Sequence, residues 1–394
     1  MRRTGVTARG IIMPIFKTGD DLPALISQGV WEASQQEGFA LHDQDIVAVT
    51  EAVVARAQGN YATCQQIAQS IRSQMKGEVL GLVFPILSRN RFSILLKAMA
   101  MAAKKVVIQL SYPCDEVGNG LLSWDLVEEK EVDPWRDSYT EEEFRDVFGR
   151  QTVHPFTGVD YIEYYKSFGE NIEIVFSNDP RYILNFTKEV LVCSIHSRFR
   201  DQRKLQKAGA TTVFRMDQVM TAPIDGSGYN ETYGILGSNK ATEESVKLFP
   251  RDCKAFVEKL QEELAARTGK KMEVMVYGDG GFKDPQGGIW ELADPVVSPA
   301  FTSGLAGTPN ELKIKYLADT EFAHLSGKEL NEALRQKIRE KHGSLKGEMA
   351  SQGTTPRQIT DLVGSLSDLV SGSGDRGTPV VLIQGYFSNY ASEE

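Results

Sequence analysis

The sequence has few cysteines and histidines, and none of them is spaced as in a known metal or redox motif. Its four cysteines (Cys64, Cys114, Cys193 and Cys253) form no C-x-x-C pair, and its five histidines form no H-E-x-x-H. A zinc site is therefore not expected. A chain of 394 residues needs no disulfides to build a core, so we predict reduced thiols and a cytoplasmic location.

Long apolar runs are also absent. No stretch approaches the roughly 18 apolar residues of a transmembrane helix, so no membrane partner is expected. The apolar stretch from Ile11 to Phe16 is too short for a signal peptide and contains Pro14. No G-x-G-x-x-G follows a predicted strand, which leaves a dinucleotide site unsupported. The formal net charge of -9 argues against a nucleic-acid partner.

Strands alternate with helices in the middle of the chain, which predicts an α/β arrangement with parallel strand pairs. The predicted strands there are Val79–Phe84, Lys105–Leu110, Ile172–Phe176, Val190–Ile195 and Thr211–Phe214. The predicted helices there are Phe92–Ala103, Tyr161–Phe168 and Phe199–Ala208. The length suits two or three domains at about 100–200 residues each. We therefore predict three segments, 1–77, 78–216 and 217–394.

The flanking segments contain further predicted elements. Strands are predicted at Gly10–Phe16, Ile46–Thr50, Val274–Tyr277 and Val380–Ile383. Helices are predicted after Asp21, at Cys64–Met75, Glu243–Arg267, Gly327–Lys341 and Thr360–Leu369. Ile46–Thr50 is short, apolar and β-branched, which is typical of a strand buried on both faces.

Two glycine-rich loops each begin with an aspartate. Asp225 precedes Gly226-Ser227-Gly228, and Asp279 follows a predicted strand and precedes Gly280-Gly281. Carboxylates beside phosphate oxygens are the ligands that Mg²⁺ prefers, and glycines let a backbone approach a phosphate. An ordinary turn is the alternative for each loop, and for the Asp225 loop it is the more common case. Three acidic residues after Asp279 could complete such a site: Asp284, Glu291 and Asp294.

Glu51 and Arg56 follow the Ile46–Thr50 strand. An arginine near a strand end can hold a phosphate with two hydrogen bonds. The alternative is a solvated surface arginine, which is the more common case for charged residues.

Five segments occur in the same order as in the coenzyme F420-0:L-glutamate ligase family, which the chain resembles. These segments are Pro14–Ile26, Asp43–Gly59, Ala222–Asn230, Val274–Gly281 and Gly374–Gly385. They frame about 1–77 and 217–394. The stretch between them is longer than the equivalent stretch of the family, so we interpret 78–216 as an inserted or divergent α/β domain that influences the choice of acceptor.

The resemblance implies an α/β (α+β mixed) fold, an intertwined homodimer and a GTP-dependent γ-glutamyl ligase. GTP would phosphorylate a carboxylate of a cofactor, and L-glutamate would attack the acyl phosphate through its α-amine. By the resemblance, Asp225 and Asp279 are catalytic aspartates that hold a divalent metal, Mg²⁺ or Mn²⁺, with Gly280 beside it. The nucleotide contacts it implies are Pro14, Ile15, Phe16, Glu51, Arg56 and Asn230.

Three positions depart from the family pattern. Gly280 stands where the family usually has a threonine, Glu51 replaces a Ser or Thr, and Arg56 replaces a lysine. A carboxylate at Glu51 would need a metal or a proton beside a phosphate. The alternatives that stay open are γ-glutamylation of folate, a non-catalytic nucleotide- or cofactor-binding homologue, and a metal-dependent phosphohydrolase.

Overall fold

The computed structural model describes residues 4–149, 153–154, 157–281, 293–351, 357–371 and 375–389. Within these residues the strands form three sheets, of five, three and six strands. Helices cover both faces of the two larger sheets, as expected when strands and helices bury apolar faces against one another. The predicted mixed α/β fold class is confirmed.

The elements are numbered in chain order. The strands are β1 (Thr7–Ile11), β2 (Ile46–Thr50), β3 (Tyr61–Thr63), β4 (Val79–Val83), β5 (Lys105–Leu110), β6 (Tyr139–Thr140), β7 (Ile172–Phe176), β8 (Glu189–Val192), β9 (Thr212–Arg215), β10 (Asn239–Thr242), β11 (Ser245–Lys247), β12 (Glu273–Tyr277), β13 (Ala300–Phe301) and β14 (Val380–Gln384). The α-helices are α1 (Leu22–Glu37), α2 (Glu51–Ala57), α3 (Cys64–Arg72), α4 (Phe92–Ala102), α5 (Trp124–Glu129), α6 (Glu141–Phe148), α7 (Tyr161–Lys166), α8 (Arg198–Lys207), α9 (Cys253–Thr268), α10 (Ile314–Asp319), α11 (Gly327–Glu340) and α12 (Ile359–Ser371). Short 3-10 helices cover Pro180–Asn185, Met216–Gln218, Ser303–Leu305 and Met349–Ser351.

The five-stranded sheet has the order β1-β14-β2-β12-β13 and takes its strands from both ends of the chain. Its central pair, β2 and β12, is parallel, with Thr50 opposite Tyr277. The other pairs are antiparallel. Because β2 and β12 run in the same direction, the residues that follow them, Glu51 and Gly278, leave the sheet at the same edge.

Both faces of this sheet are buried, which explains why its strands are continuously apolar. Helices α1 and α9 pack on the face that carries Val47, Val49 and Val274. Helix α12 packs on the opposite face, which carries Ile46 and Met275. The predicted strand Ile46–Thr50, buried on both faces, is therefore confirmed.

The six-stranded sheet has the order β6-β7-β5-β4-β8-β9, and all of its strands come from 78–216. The pairs are parallel except for β6 at one edge, so the predicted parallel pairing is confirmed. The chain begins in the middle at β4, adds β5 and β7 on one side, and then adds β8 and β9 on the other. Sheets with such a reversal bind ligands outside the carboxyl ends of their strands, close to the reversal.

A single apolar cluster joins the six-stranded sheet to the segments before and after it. Ile67 and Ile71 of α3 belong to this cluster, together with Leu95 of α4 and Val246 of β11. The three-stranded sheet, β10-β11-β3, borders the same cluster. The predicted segments 1–77, 78–216 and 217–394 therefore share core residues, and the boundaries between them stay a prediction.

Two predicted elements differ from the structure. The first strand covers Thr7–Ile11 rather than Gly10–Phe16, because Pro14 has no N–H to donate to a sheet and the chain leaves the sheet before it. The helix predicted from Glu243 begins only at Cys253. The residues before that helix form the hairpin of β10 and β11, whose register is fixed by pairing with β3.

Two predictions from composition can be compared directly with the fold. Among the described helices, none combines the length and the apolar character that crossing a membrane would need. No disulfide joins the four cysteines, all of which lie in the described residues.

Candidate active site

A cavity of about 1210 Å³ lies between the two larger sheets. One wall is formed by strand ends of the five-stranded sheet, with Thr50 and Asp279, and the other by loops after β4 and β5, with Leu87, Arg91 and Asn119. The volume exceeds the roughly 300–1,000 Å³ of a typical ligand pocket. The cavity therefore has room for more than one substrate.

Asp115 joins the two loops on the six-stranded side. Its buried carboxylate accepts hydrogen bonds from the backbone nitrogens of Leu87 at 2.7 Å, Val117 at 3.0 Å and Asn119 at 2.9 Å. Burial raises the pKa of Asp115 to about 6, although these hydrogen bonds oppose the rise. One carboxylate thus determines how both loops face the cavity.

The side chain of Arg91 extends from the loop after β4 to the end of β12. Its Nη2 donates to both carboxylate oxygens of Asp279, at 3.1 and 2.9 Å, and its Nη1 donates to Oδ1 of Asp294 at 2.6 Å. Burial lowers the pKa of Arg91, but the charges of Asp294 and Asp279 outweigh that effect and raise it. Arg91 therefore connects the two walls of the cavity through ion pairs.

The loop after β12 depends on two close backbone approaches. The backbone nitrogen of Asp279 donates to Oδ2 of Asp294 at 2.8 Å, and that of Gly280 donates to Oδ2 of Asp368 at 3.0 Å. A Cβ atom on Gly278 would lie 2.3 Å from Oδ2 of Asp294. Glycine at position 278 is thus required for the Asp294 carboxylate to reach the backbone of the loop.

Glu51, the first residue of α2, is buried beside this cluster. Its Oε1 accepts from Nζ of Lys247 at 3.4 Å, and its Oε2 has no hydrogen-bond partner among the described residues. Burial raises the pKa of Glu51 to about 7, with Lys247 opposing the rise and Asp294 adding to it. The surroundings of Glu51 therefore favour its protonated form over its charged form.

Three more arginines line the cavity: Arg56, Arg89 and Arg376. Nε of Arg56 donates to the backbone oxygen of Phe16 at 2.7 Å, which fixes the guanidinium against the segment after β1. Guanidinium groups bind phosphate and carboxylate oxygens in pairs of hydrogen bonds. The cavity can therefore bind anions although the whole chain has a formal net charge of -9.

The structure brings most of the predicted site residues together. Those that line the cavity are Pro14, Ile15, Phe16, Arg56 and Asp279. Glu51 and Gly280 are next to the lining, at the ends of β2 and β12. The parallel pairing of these two strands explains why residues so far apart in sequence meet at one edge.

Asp225 lies outside the described lining of the cavity. It is an exposed residue in a turn that is closed by a hydrogen bond from the nitrogen of Ser227 to the oxygen of Ile224, 2.9 Å long. Asp225 and Gly226 have φ values of 46° and 76°, a left-handed conformation that glycine adopts freely and aspartate tolerates. A metal shared by Asp225 and Asp279 stays a prediction.

Asn230 also lies outside that lining, and its side chain is buried in a network of backbone contacts. Its Nδ2 donates to the backbone oxygens of Phe249 and Pro250, at 3.1 and 3.0 Å. Its Oδ1 accepts from the nitrogens of Thr232 and Tyr233, at 3.0 and 2.8 Å. These four hydrogen bonds give Asn230 a structural role, and its predicted nucleotide contact is untested.

Divalent metals are bound by several oxygen ligands that converge on one point. Within the described part of the chain, no three His, Cys, Asp or Glu side chains form such a group. Arg91 donates to the oxygens of Asp279 and Asp294 that a metal would use. Asp284 and Glu291 lie outside the described residues. As arranged, the described residues do not fit a metal site.

Sequence reasoning did not identify Arg89, Arg91, Asp368 or Arg376 as site residues. A signal was present for two of them, because Arg89 and Arg91 follow the predicted strand β4, and ligands bind at the carboxyl ends of parallel strands. Arg376 lies within the last family-like segment. Asp368 is on the amphipathic helix α12, where sequence gives no sign that it faces a cavity.

Comparisons with known proteins bear on the whole of this arrangement. A search of curated proteins gave no match. The family model described as F420-0:Gamma-glutamyl ligase matches residues 10–385, which include both walls of the cavity. Because the match also includes 78–216, the interpretation of that segment as an insertion stays a prediction. The chain belongs to the F420-0:gamma-glutamyl ligase family.

Proposed function

We propose that this ligase joins the α-amine of L-glutamate to a carboxylate of a cofactor, with F420-0 as acceptor and GTP as phosphoryl donor. Family membership supports γ-glutamyl ligase activity. The observation that carries the finer proposal is the cavity, in which Arg56, Arg89, Arg91 and Arg376 approach one space from different parts of the chain. Such a site suits a polyphosphate together with a carboxylate substrate.

In the proposed reaction, a carboxylate oxygen of the acceptor attacks the γ-phosphorus of GTP. The bond between that phosphorus and the β–γ bridging oxygen breaks, and GDP leaves. The amine of glutamate then attacks the carbonyl carbon of the acyl phosphate. The bond between that carbon and the phosphate oxygen breaks, phosphate leaves, and the nitrogen loses a proton to complete the amide.

The two walls of the cavity are proposed to hold different substrates. Arg56 and Arg376, on the five-stranded side, would hold the nucleotide phosphates, while the apolar residues Pro14–Phe16 would lie against the base. Arg89 and Asn119, on the six-stranded side, would hold the carboxylate acceptor. Holding two reactants in one cavity accelerates their reaction because the entropy of bringing them together is already lost on binding.

The proposal also includes a divalent metal, Mg²⁺ or Mn²⁺, and a cytoplasmic homodimer. Ile12, next to the cavity-lining residue Met13, is 78% exposed and supports a partner surface. An apolar side chain with this exposure is stabilised when a partner covers it. Light scattering on the purified chain tests the dimer directly, and a monomer at micromolar concentration would contradict it.

The ligase proposal is tested with purified chain, L-glutamate, GTP or ATP, and Mg²⁺ or Mn²⁺. F420-0 and folate serve as alternative acceptors. We expect phosphate release that requires both glutamate and F420-0, and an acceptor whose mass increases by one glutamyl residue. Extension of folate alone would change the acceptor, and phosphate release without an amine would indicate a phosphohydrolase. Nucleotide binding without turnover on either acceptor would contradict the catalytic proposal.

Variants connect this assay to the cavity. Arg56→Gln and Arg376→Gln remove guanidinium groups from the proposed nucleotide wall, so we expect the KM for GTP to rise by about tenfold in each. Arg203→Gln is the matched control, because Arg203 is an exposed arginine on α8 outside the described lining. An equal effect of all three substitutions would show that the cavity is not the nucleotide site.

A further inference from the structure

Arg91 occupies a position at which the family resemblance would place metal chemistry. Its guanidinium donates to both oxygens of Asp279 and to Oδ1 of Asp294. The remaining oxygen of Asp294 accepts from the backbone nitrogen of Asp279. All four carboxylate oxygens of this pair are therefore engaged by N–H donors in the described structure.

The physical properties of Arg91 suit it to hold these two carboxylates. The side chain is only 15% exposed, and those of Asp279 and Asp294 are 23% and 2% exposed. A guanidinium does not lose its proton at any ordinary pH, and its planar fork can reach two carboxylates at once. Removing one member of such a buried group leaves an uncompensated charge, which is strongly unfavourable.

We propose that Arg91 is the resident cation of the Asp279–Asp294 pair and competes with divalent metal for the same oxygens. A metal that binds there must first separate Arg91 from both carboxylates, so the chain without substrates binds Mg²⁺ or Mn²⁺ weakly at this position. The relevance of this competition to catalysis rests on the proposed function. The competition itself is a property of the chain without bound substrates.

Arg91 also lines the cavity, so its guanidinium holds both carboxylates at the cavity wall. Through these contacts Arg91 acts as a positioning residue for Asp279 and Asp294.

The test measures the affinity of the full chain for Mn²⁺ without nucleotide. The amount of unbound Mn²⁺ is determined from its electron paramagnetic resonance signal. Arg91→Met removes the charge and keeps much of the length, so we expect Mn²⁺ affinity to rise at least about tenfold. The gain should disappear in Arg91→Met/Asp279→Asn. Arg203→Met is the matched control, because it removes an exposed arginine on α8 outside the described lining, and it should leave Mn²⁺ affinity unchanged.

Several outcomes would overturn the proposal. One is a wild-type chain that binds Mn²⁺ as tightly as Arg91→Met, and another is a folded Arg91→Met chain without any gain. If Arg91→Met does not fold, Mn²⁺ affinity is compared between wild type and Asp279→Asn. A tenfold loss of affinity in Asp279→Asn would show that Mn²⁺ already binds at Asp279 in wild type, which would contradict the competition. The Mn²⁺ measurement does not require ligase activity. Failure of the proposed ligase function can therefore be distinguished from failure of the proposed competition between Arg91 and metal.

Discussion

Asp115 accepts a hydrogen bond from the backbone nitrogen of Leu87 at 2.7 Å, and this bond joins two loops of the cavity wall. The same carboxylate also accepts from the backbone nitrogens of Val117 and Asn119. Asp115→Ala leaves these buried donors without an acceptor, so we expect a loss of about 2–4 kcal/mol in the free energy of unfolding. Urea unfolding measures this free energy, and Asp125→Ala, at an exposed position, is the control. Equal losses of unfolding free energy in the two variants would contradict the role of Asp115.

Gly278→Ala tests the close approach of Asp294 to the loop after β12. The added Cβ would lie 2.3 Å from Oδ2 of Asp294, so the carboxylate must move away from the loop and from Arg91. We expect a loss of about 2 kcal/mol in unfolding free energy and at least a tenfold loss of turnover. Gly77→Ala is the control, because its Cβ would meet Glu189 at an ordinary 3.5 Å. Wild-type behaviour of Gly278→Ala would show that the approach is unimportant.

Asn230→Ala distinguishes a structural role from a nucleotide contact. The substitution removes the acceptor of the backbone nitrogens of Thr232 and Tyr233. It also removes one of the two donors to the backbone oxygens of Phe249 and Pro250, which keep hydrogen bonds from Asn60 and Cys253. We therefore expect the free energy of unfolding to fall by about 2 kcal/mol, with the Kd for GTP of the folded chain unchanged. Calorimetry at a temperature where both chains are folded measures the Kd, and a tenfold weaker Kd with unaltered stability would restore the nucleotide role.

Glu51→Gln tests the buried carboxyl group through pH. Burial raises the pKa of Glu51 from 4.5 to about 7, so the folded chain binds more protons at this position than the unfolded chain between these values. Its contribution to stability is fully present below pH 4.5 and is lost as the pH rises through about 7. Glutamine cannot ionise, so the free energy of unfolding of the variant relative to wild type should increase by roughly 3 kcal/mol over this interval.

The measurement is urea unfolding of both chains at several pH values across that interval. Glu128→Gln, at an exposed position on α5, is the control and should keep the wild-type profile. A constant difference between Glu51→Gln and wild type at every pH would show that Glu51 does not hold a proton in the folded chain.

Asp279→Asn should lower turnover by at least about 100-fold, because it removes half of the charge that holds Arg91 at the end of β12. Asp225→Asn provides the comparison, since Asp225 lies on an exposed turn outside the described lining. A comparable loss in Asp225→Asn would support the predicted shared metal site. If Asp225→Asn keeps its turnover within about threefold of wild type, the catalytic site includes Asp279 but not Asp225. Wild-type turnover in Asp279→Asn would show that neither the ion pair with Arg91 nor a shared metal site is needed for catalysis.

Much of the fold was predictable because it depends on local patterns. The apolar, β-branched run at Ile46–Thr50 predicted a buried strand, and alternating elements between Val79 and Arg215 predicted a parallel sheet. The errors came from other causes. Pro14 ended a strand earlier than its apolar neighbours suggested, and pairing with β3 made a hairpin of residues that resemble the start of a helix.

The candidate site was predictable only in part. Sequence identified Asp279 and Arg56 from their positions after strands, and it identified Pro14–Phe16 from an ordered family-like segment. It gave no sign that Asn230 would be used for backbone contacts. Nor did it show that Glu51 would be buried against Lys247, because the two residues are 196 positions apart.

The sequence by itself determined the class of fold, the order of the strands along the chain and the family, since apolar periodicity and ordered motifs are properties of neighbouring residues. Only the tertiary structure decided what those motifs contact. Arg91 and Asp279 are 188 positions apart, and they meet because two sheets place their strand ends around one cavity. An ion pair depends on distance and burial in space, so the cation at Asp279 could be identified only after the chain had folded.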